Sequence, residues 1–140
     1  MIIRYIKFLF LFISLISPVL ADNKYFEEGL SFFQDKKFDQ AKFKFEQDIV
    51  FNPKNEMSYL YLSKIFKKQE KKNLEEENLN TVILLNPKNE EAIYNLAKLK
   101  LESSDYKKSK ELNNTLRKLC KNFCLKSEKL KIEIENLSKK

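Results

Sequence analysis

The tetrapeptide Asn52-Pro53-Lys54-Asn55 recurs 34 residues later as Asn86-Pro87-Lys88-Asn89. An internal period of about 20 to 50 residues is typical of stacked supersecondary units. Proline disfavours a helix interior and biases the residue before it away from helical geometry, whereas asparagine favours the N-cap position. Each copy therefore predicts the end of one helix and the start of the next, with Asn55 and Asn89 as N-caps. The interval between the copies has room for two helices and a tight turn, so the pattern predicts helix pairs that stack into a solenoid.

The first 21 residues have the pattern of an export leader (a signal peptide). Arg4 and Lys7 precede an apolar run over residues 8–16, and Ala21 ends an A-x-A-like cleavage site. A membrane anchor would need about 20 consecutive apolar residues, and this run is roughly half as long. We therefore expect cleavage, a mature chain that begins at Asp22 without a transmembrane segment, and a periplasmic or secreted location.

The composition argues against an enzyme. The 140 residues include no histidine and one glycine, which excludes His-based catalytic triads, His-ligated zinc or haem, and glycine-rich phosphate loops. The formal charge of +7 comes mostly from lysine and is interleaved with 20 acidic residues. Because phosphate readers favour arginine, we expect no nucleic acid as partner. We also predict no catalytic residues, no metal and no cofactor.

Three repeat units emerge when the two prolines are aligned, at about residues 22–55, 56–89 and 90–123. Within each unit, apolar side chains recur at helical spacing. They are Tyr25, Phe32, Phe38, Ala41, Phe45 and Ile49 in the first unit, Tyr59, Leu62, Phe66, Leu79, Val82 and Ile83 in the second, and Ile93, Leu96, Tyr106, Leu116 and Leu119 in the third. Small residues at Gly29, Ser63 and Ala97 would allow the two helices of a unit to approach closely. The predicted fold class is all-α.

These residues resemble the tetratricopeptide repeat (TPR) family, whose first helix carries a bulky residue, a leucine, a small residue and an aromatic residue, and whose second helix is followed by proline. The match covers about residues 22–122 and implies an α-solenoid of three TPR-like helix-turn-helix repeats. A C-terminal capping helix at about residues 125–138 would cover the last core. Its apolar stripe consists of Leu125, Leu130, Ile134 and Leu137.

The second unit departs from the family pattern. Lys72 replaces an aromatic residue and Glu75 replaces a small one. We therefore expect the turn between Lys67 and Glu77 to be looser than in the other units, or the following helix to begin late, near Leu74.

Two cysteines, Cys120 and Cys124, flank the joint between the last repeat and the cap. In an exported protein a paired count favours a disulfide. Residues i and i+4 of a continuous helix are too far apart for this bond, so a disulfide requires the helix to break between them. The alternative is two free thiols that pack as small apolar groups.

The TPR resemblance also implies a binding groove, lined by the first helix of each unit. Carried over to this chain, its principal positions are Phe26, Leu30, Phe33, Leu60, Lys64, Lys67, Tyr94 and Lys98. The resemblance implies an aromatic end and a column of lysines. Such a groove would prefer a protein or peptide segment with apolar anchors and acidic neighbours. The positions that form a carboxylate clamp in some TPR proteins here hold Phe26, Leu30, Tyr61, Glu91 and Asn95, which does not support chaperone docking.

The sequence therefore predicts a non-enzymatic protein-protein interaction module of the cell envelope, an adaptor, scaffold or assembly factor. Two alternatives stay open. One is a structural accessory subunit of a larger envelope complex. The other is a basic module that rests on anionic lipid or nucleic acid, whose binding would weaken steeply with salt.

Overall fold

The computed structural model describes residues 23–139, so the predicted leader and its cleavage site lie outside the described residues. The described residues form seven α-helices and no strand, which confirms the all-α prediction. The helices are α1 (Lys24–Gln34), α2 (Phe38–Phe51), α3 (Glu56–Lys68), α4 (Lys72–Leu85), α5 (Glu90–Glu102), α6 (Tyr106–Leu119) and α7 (Cys124–Leu137). Each helix packs on the next along the chain, and α7 also packs on α5. The architecture is a solenoid of three helix pairs closed by a terminal helix.

Three apolar clusters follow one another along the stack. The first lies between the first two helix pairs and contains Ala41, Phe45, Leu62, Ile65 and Phe66. The second lies between the second and third pairs and contains Leu60, Leu79, Val82, Ala92, Leu96 and Leu99. The third lies under the terminal helix and contains Ala97, Leu101, Leu130 and Ile134. The first two clusters join neighbouring helix pairs and the third joins the last pair to α7, so each repeat is stabilised by its neighbours.

The turn inside each helix pair has the same three-residue form. Its middle residue is Lys36, Glu70 or Ser104, with φ of 60°, 57° and 61°. These left-handed residues allow the next backbone N–H to bond back into the preceding helix, as in helix C-terminal motifs that usually employ glycine. The prediction of a looser second turn was therefore wrong, because α4 begins at Lys72 and the turn before it matches the other two.

The connections between helix pairs are four residues long, and we name them the first corner (52–55), the second corner (86–89) and the third corner (120–123). Asn55 and Asn89 cap the helices that follow, accepting hydrogen bonds from Met57 N and Ala92 N. This confirms both predicted N-caps. The first corner is also held by the buried carboxylate of Asp48, which accepts hydrogen bonds from Asn55 Nδ2 at 2.7 Å and from the Ser58 hydroxyl.

The third corner lacks proline and asparagine at the positions where the other two have them. Here the predicted disulfide joins Cys120, the residue after α6, to Cys124, the first residue of α7, with the Cα atoms 5.2 Å apart. The helix breaks between the two cysteines, as the bond requires. In α7, Leu130 and Ile134 are buried as predicted, but Leu125 is 81% exposed and Leu137 is 40% exposed. The predicted stripe was too wide, because only the side of α7 that faces α5 and α6 is covered.

Candidate functional site

The first helices of the three pairs carry the residues predicted to line a groove. Between α1 and α3 lies a hollow of about 540 Å³, open to solvent. Three of the predicted positions, Leu30, Phe33 and Lys64, line this hollow. We call it the α1–α3 hollow. Its other lining residues are Gln34, Lys36, Phe38, Tyr61 and Lys68.

Aromatic rings form the floor of the α1–α3 hollow. The Tyr61 ring lies edge-on to the Phe33 ring, with centroids 5.0 Å apart, and stacks on the buried Phe45 ring at 5.2 Å. Phe26 and Phe38 extend the cluster on either side, at 6.0 Å from Tyr61 and 5.5 Å from Phe33. Such offset and edge-on contacts orient the rings. The floor is therefore preformed. Phe33 is half-buried in it, whereas Phe26 is half-buried behind Tyr61 and does not line the hollow.

The two lysines predicted to form a cationic column are both paired within the chain. Lys64 Nζ lies 2.9 Å from Glu91 Oε1, and Lys98 Nζ lies 2.9 Å from Glu133 Oε2. The hydrogen bond from Lys98 to Glu133 raises the pKa of Lys98. Each pair links the first helix of one unit to the helix at the equivalent place in the next unit. The charges of these two lysines are therefore already balanced by carboxylates of the chain itself.

Two predicted groove residues do not face the groove. Leu60 is 1% exposed and packs in the second apolar cluster, so no partner can reach it. Lys67 Nζ lies 3.9 Å from the carboxylate of Glu75, a buried residue of α4. The prediction for Leu60 was therefore wrong, because its side chain points into the core. Lys67 does not line the hollow, whereas its neighbour Lys68 and the aromatic Tyr61 do.

Tyr94 lies at the other end of this surface, against the third corner. Its ring is 5.6 Å from the Phe123 ring, and Lys126 Nζ lies 5.6 Å from the Tyr94 centroid. The hollow therefore collects Leu30, Phe33 and Lys64, whereas Tyr94 and Lys98 line the part of the surface next to α7.

Sequence reasoning did not assign Lys36 and Phe38 to the site, because both follow the first helix. They enter the hollow because the left-handed turn at Lys36 brings the start of α2 to its edge. A second concavity of about 720 Å³ continues from the hollow around this turn and shares Lys36, Phe38 and Lys68 with it. The sequence Lys36-Lys37-Phe38, directly after the apolar first helix, was the signal that could have indicated this part of the site.

Neither a metal centre nor a membrane span is present in the part of the chain that the structure describes. No group of three or more His, Cys, Asp or Glu side chains there is arranged to hold a metal ion. None of its helices is long and apolar enough to cross a bilayer.

Solved structures with the same architecture include several TPR domains. The TPR2B domain of yeast Sti1, in complex with an Hsp70 peptide, has a TM-score of 0.76 and 14% identity over 84% of this chain and 98% of that one. The type III secretion chaperone SycD of Yersinia enterocolitica, in complex with a peptide of the translocator YopD, has a TM-score of 0.74 and 15% identity over 84% and 94%. The first TPR of Spaghetti (RPAP3), bound to an HSP90 peptide, has a TM-score of 0.71 and 17% identity over 80% and 89%.

No protein-family model matches the chain, and no curated protein sequence does. At identities of 14–17% the likeness establishes the fold. The chain has the TPR fold, as its repeat pattern predicted.

Proposed function

We propose that this TPR-fold chain is a non-enzymatic protein-interaction module of the cell envelope. It binds a segment of another protein along the surface formed by α1, α3 and α5, as an adaptor or assembly factor. The observation that carries the proposal is the α1–α3 hollow, an open concavity with an aromatic floor on the first helices of two repeats.

The hollow has the properties of a peptide-binding surface. Exposed apolar concavities with polar rims are typical of interaction sites. Aromatic residues such as Phe33 and Tyr61 supply large contact area at low entropic cost, because their rings are already packed. The solved TPR domains of Sti1, RPAP3 and SycD were each captured with a bound peptide, which supports the same class of work for this chain.

Site-specific photo-crosslinking in the source cells tests the proposal. A benzoylphenylalanine at Gln34, an exposed residue that lines the hollow, is compared with one at Lys107, an exposed residue on α6. We expect protein adducts at the first position and none at the second. A structural accessory subunit would give adducts at both positions, and absence of adducts at Gln34 would overturn the proposal.

Salt separates this function from binding to anionic lipid or nucleic acid. Contacts to phosphate weaken steeply as salt rises, because bound counterions are released on association. Adducts that form equally at low and high salt support an apolar, protein-based interaction. Adducts lost at high salt together with sedimentation on anionic vesicles would favour the basic-module alternative.

The envelope location rests on the predicted leader, residues 1–21. We expect the mature protein from source cells to begin at Asp22 and to fractionate outside the cytoplasm. Intact-mass measurement on cell fractions tests this. An unprocessed chain in the cytoplasmic fraction would overturn the envelope location but not the proposed protein interaction.

A further inference from the structure

We propose that the α1–α3 hollow is a binding site for one large apolar side chain flanked by carboxylates, in an acidic segment of the partner protein. The inference rests on the proposed function and specifies the chemistry that the partner presents. The floor of the site consists of Leu30, Phe33, Phe38 and Tyr61, and its rim contains Lys36 and Lys68.

The floor has the size and stiffness to hold a side chain. A concavity of about 540 Å³ lies within the range of small ligand pockets and exceeds the volume of a leucine or phenylalanine side chain. The Tyr61 ring is fixed between Phe33 and the fully buried Phe45. An entering apolar group therefore meets a preformed wall, and little entropy is lost in arranging it.

The rim has cationic groups that the chain itself leaves without a carboxylate. Within residues 23–139, no ion pair involves Lys36 or Lys68. Lys68 Nζ instead lies 5.1 Å from the centroid of the Phe38 ring. By contrast, Lys64 and Lys98 are already paired with Glu91 and Glu133. Two lysines without a carboxylate partner therefore lie directly beside the apolar floor.

Charge complementarity selects an acidic partner. Of the acids near the rim, Asp35 pairs with Lys37 at 3.1 Å, and Asp39, in the neighbouring concavity, accepts a hydrogen bond from Gln69 and makes no ion pair with Lys36 or Lys68. A carboxylate next to the bound apolar group would satisfy two exposed ammonium groups, whereas a basic segment would meet like charge. An acidic segment around a single large apolar residue therefore fits the hollow best.

The neighbouring concavity supplies a path for the rest of the segment. It continues around the turn at Lys36 and is walled in part by Gln69. The two concavities share Lys36, Phe38 and Lys68, so a segment seated in the hollow can continue into the second concavity without leaving the surface.

Fluorescence anisotropy with three labelled hexapeptides tests the assignment. Their sequences are EELFEE, QQLFQQ and KKLFKK, each blocked at both ends so that no terminal carboxylate contributes. We expect the purified full chain to bind EELFEE about 10-fold more tightly than QQLFQQ, as expected for about 1.4 kcal/mol from two charged contacts. KKLFKK should bind least.

A matched pair of charge reversals locates the site. The double variant Lys36→Glu/Lys68→Glu should lose about 10-fold in affinity for EELFEE and gain for KKLFKK. The control Lys107→Glu/Lys118→Glu changes net charge by the same amount at exposed residues of α6 and should leave both affinities nearly unchanged. Equal losses in both variants, or equal binding of EELFEE and QQLFQQ, would overturn the inference.

The acidic-peptide experiment can fail while the proposed function holds. Cellular crosslinks at Gln34 without acidic-peptide binding would retain the interaction module and remove only this specificity. Sedimentation velocity tests whether a second copy of the chain occupies the hollow. A dimer that dissociates in the Lys36→Glu/Lys68→Glu variant would assign the hollow to that second copy and overturn the acidic-partner assignment.

Discussion

Glu56 and Glu90 occupy the same position in successive repeats, and each carboxylate binds the corner one repeat further along the chain. Glu56 Oε1 accepts hydrogen bonds from Asn86 Nδ2 at 2.9 Å and Asn89 Nδ2 at 3.2 Å. Glu90 accepts three from the backbone N–H groups of the third corner, at 2.8–3.0 Å. Each carboxylate ties neighbouring repeats together at the point where the chain passes between them.

Replacing Glu90 by Gln should lower the melting temperature at neutral pH, because one amide oxygen cannot accept three charge-assisted hydrogen bonds. Burial alone would raise the pKa of Glu90, but the N–H groups of residues 121–123 and the Lys121 charge outweigh it and lower the pKa. Because the pKa of Glu90 is lower in the folded state, its ionised carboxylate stabilises the fold at pH values above the ordinary glutamate pKa. This stabilisation is lost as the pH falls through the folded-state pKa. The deficit of the variant should therefore shrink on acidification.

Thermal melts at neutral and acidic pH measure this, with Glu77→Gln as the matched control at an exposed residue. The control should melt like the parent at both pH values. A Glu90→Gln deficit that is independent of pH would contradict the role of the ionised carboxylate.

Removing the disulfide, as Cys120→Ser/Cys124→Ser, should loosen α7 more than the rest of the chain. The chain-entropy model assigns about 2 kcal/mol to so short a loop. Because a solenoid transmits stability between neighbours, amide exchange should rise first in α7 and least in α1 and α2. Reductant should reproduce the effect on the parent chain and do nothing to the variant. An equal increase in amide exchange in all seven helices would contradict a local role for the disulfide.

The sequence predicted the fold well because its strongest signals are local. Two prolines and the capping residues Asn55 and Asn89 define the first two corners, and apolar spacing defines the helix faces. The third corner keeps the four-residue length without proline, since a disulfide and the Glu90 carboxylate hold it. The groove was harder, because adjacent residues of a helix point about 100° apart and the sequence does not show which of them the neighbouring helices cover. Leu60 is buried in the core, whereas its neighbour Tyr61 lines the hollow.

The turns inside the helix pairs left no sequence signal either, because none of them contains glycine. Glu70 adopts φ of 57°, a conformation that costs a non-glycine residue about 1–2 kcal/mol. Glu70→Gly should therefore raise the free energy of unfolding by up to about 1 kcal/mol, after the entropy cost of glycine. Lys71→Gly is the control: its φ is −88°, so glycine there should destabilise the fold. Urea unfolding of both variants measures the difference, and equal effects would contradict the backbone argument.

Gly29 of α1 lies directly against the Phe45 ring of α2. A Cβ atom there would lie 2.8 Å from two ring carbons of Phe45, which is fully buried. Overpacking of this kind costs about 1–3 kcal/mol and exceeds the gain of about 1 kcal/mol in helix propensity. We expect Gly29→Ala to lose about 1–2 kcal/mol in urea unfolding. In a Phe45→Leu background the ring clash is gone, so the same substitution should be neutral or stabilising; a further loss there would show that the clash is not the cause.

Glu75 is 4% exposed in α4, and its nearest cation is Lys67 Nζ at 3.9 Å. Burial raises the pKa of Glu75, Lys67 opposes this shift, and Glu102 adds to it. Because the folded pKa lies above the unfolded value, the folded state binds more protons between the two, and stability falls as the pH rises through that window. At neutral pH the charged Glu75 thus costs stability that a neutral side chain would not.

Two substitutions test this assignment together. Glu75→Gln should be at least as stable as the parent at neutral pH. Its stability should not decrease as the pH rises above the ordinary glutamate pKa, whereas that of the parent should. Lys67→Met should destabilise the parent by about 0.5–1 kcal/mol at neutral pH, since its half-exposed ammonium is partly screened by solvent, and should be neutral in the Glu75→Gln background. Urea unfolding across the acidic to neutral range completes the cycle. If Lys67→Met costs the same with and without the Glu75 carboxylate, the two groups are not coupled and Lys67 acts through its aliphatic stem alone.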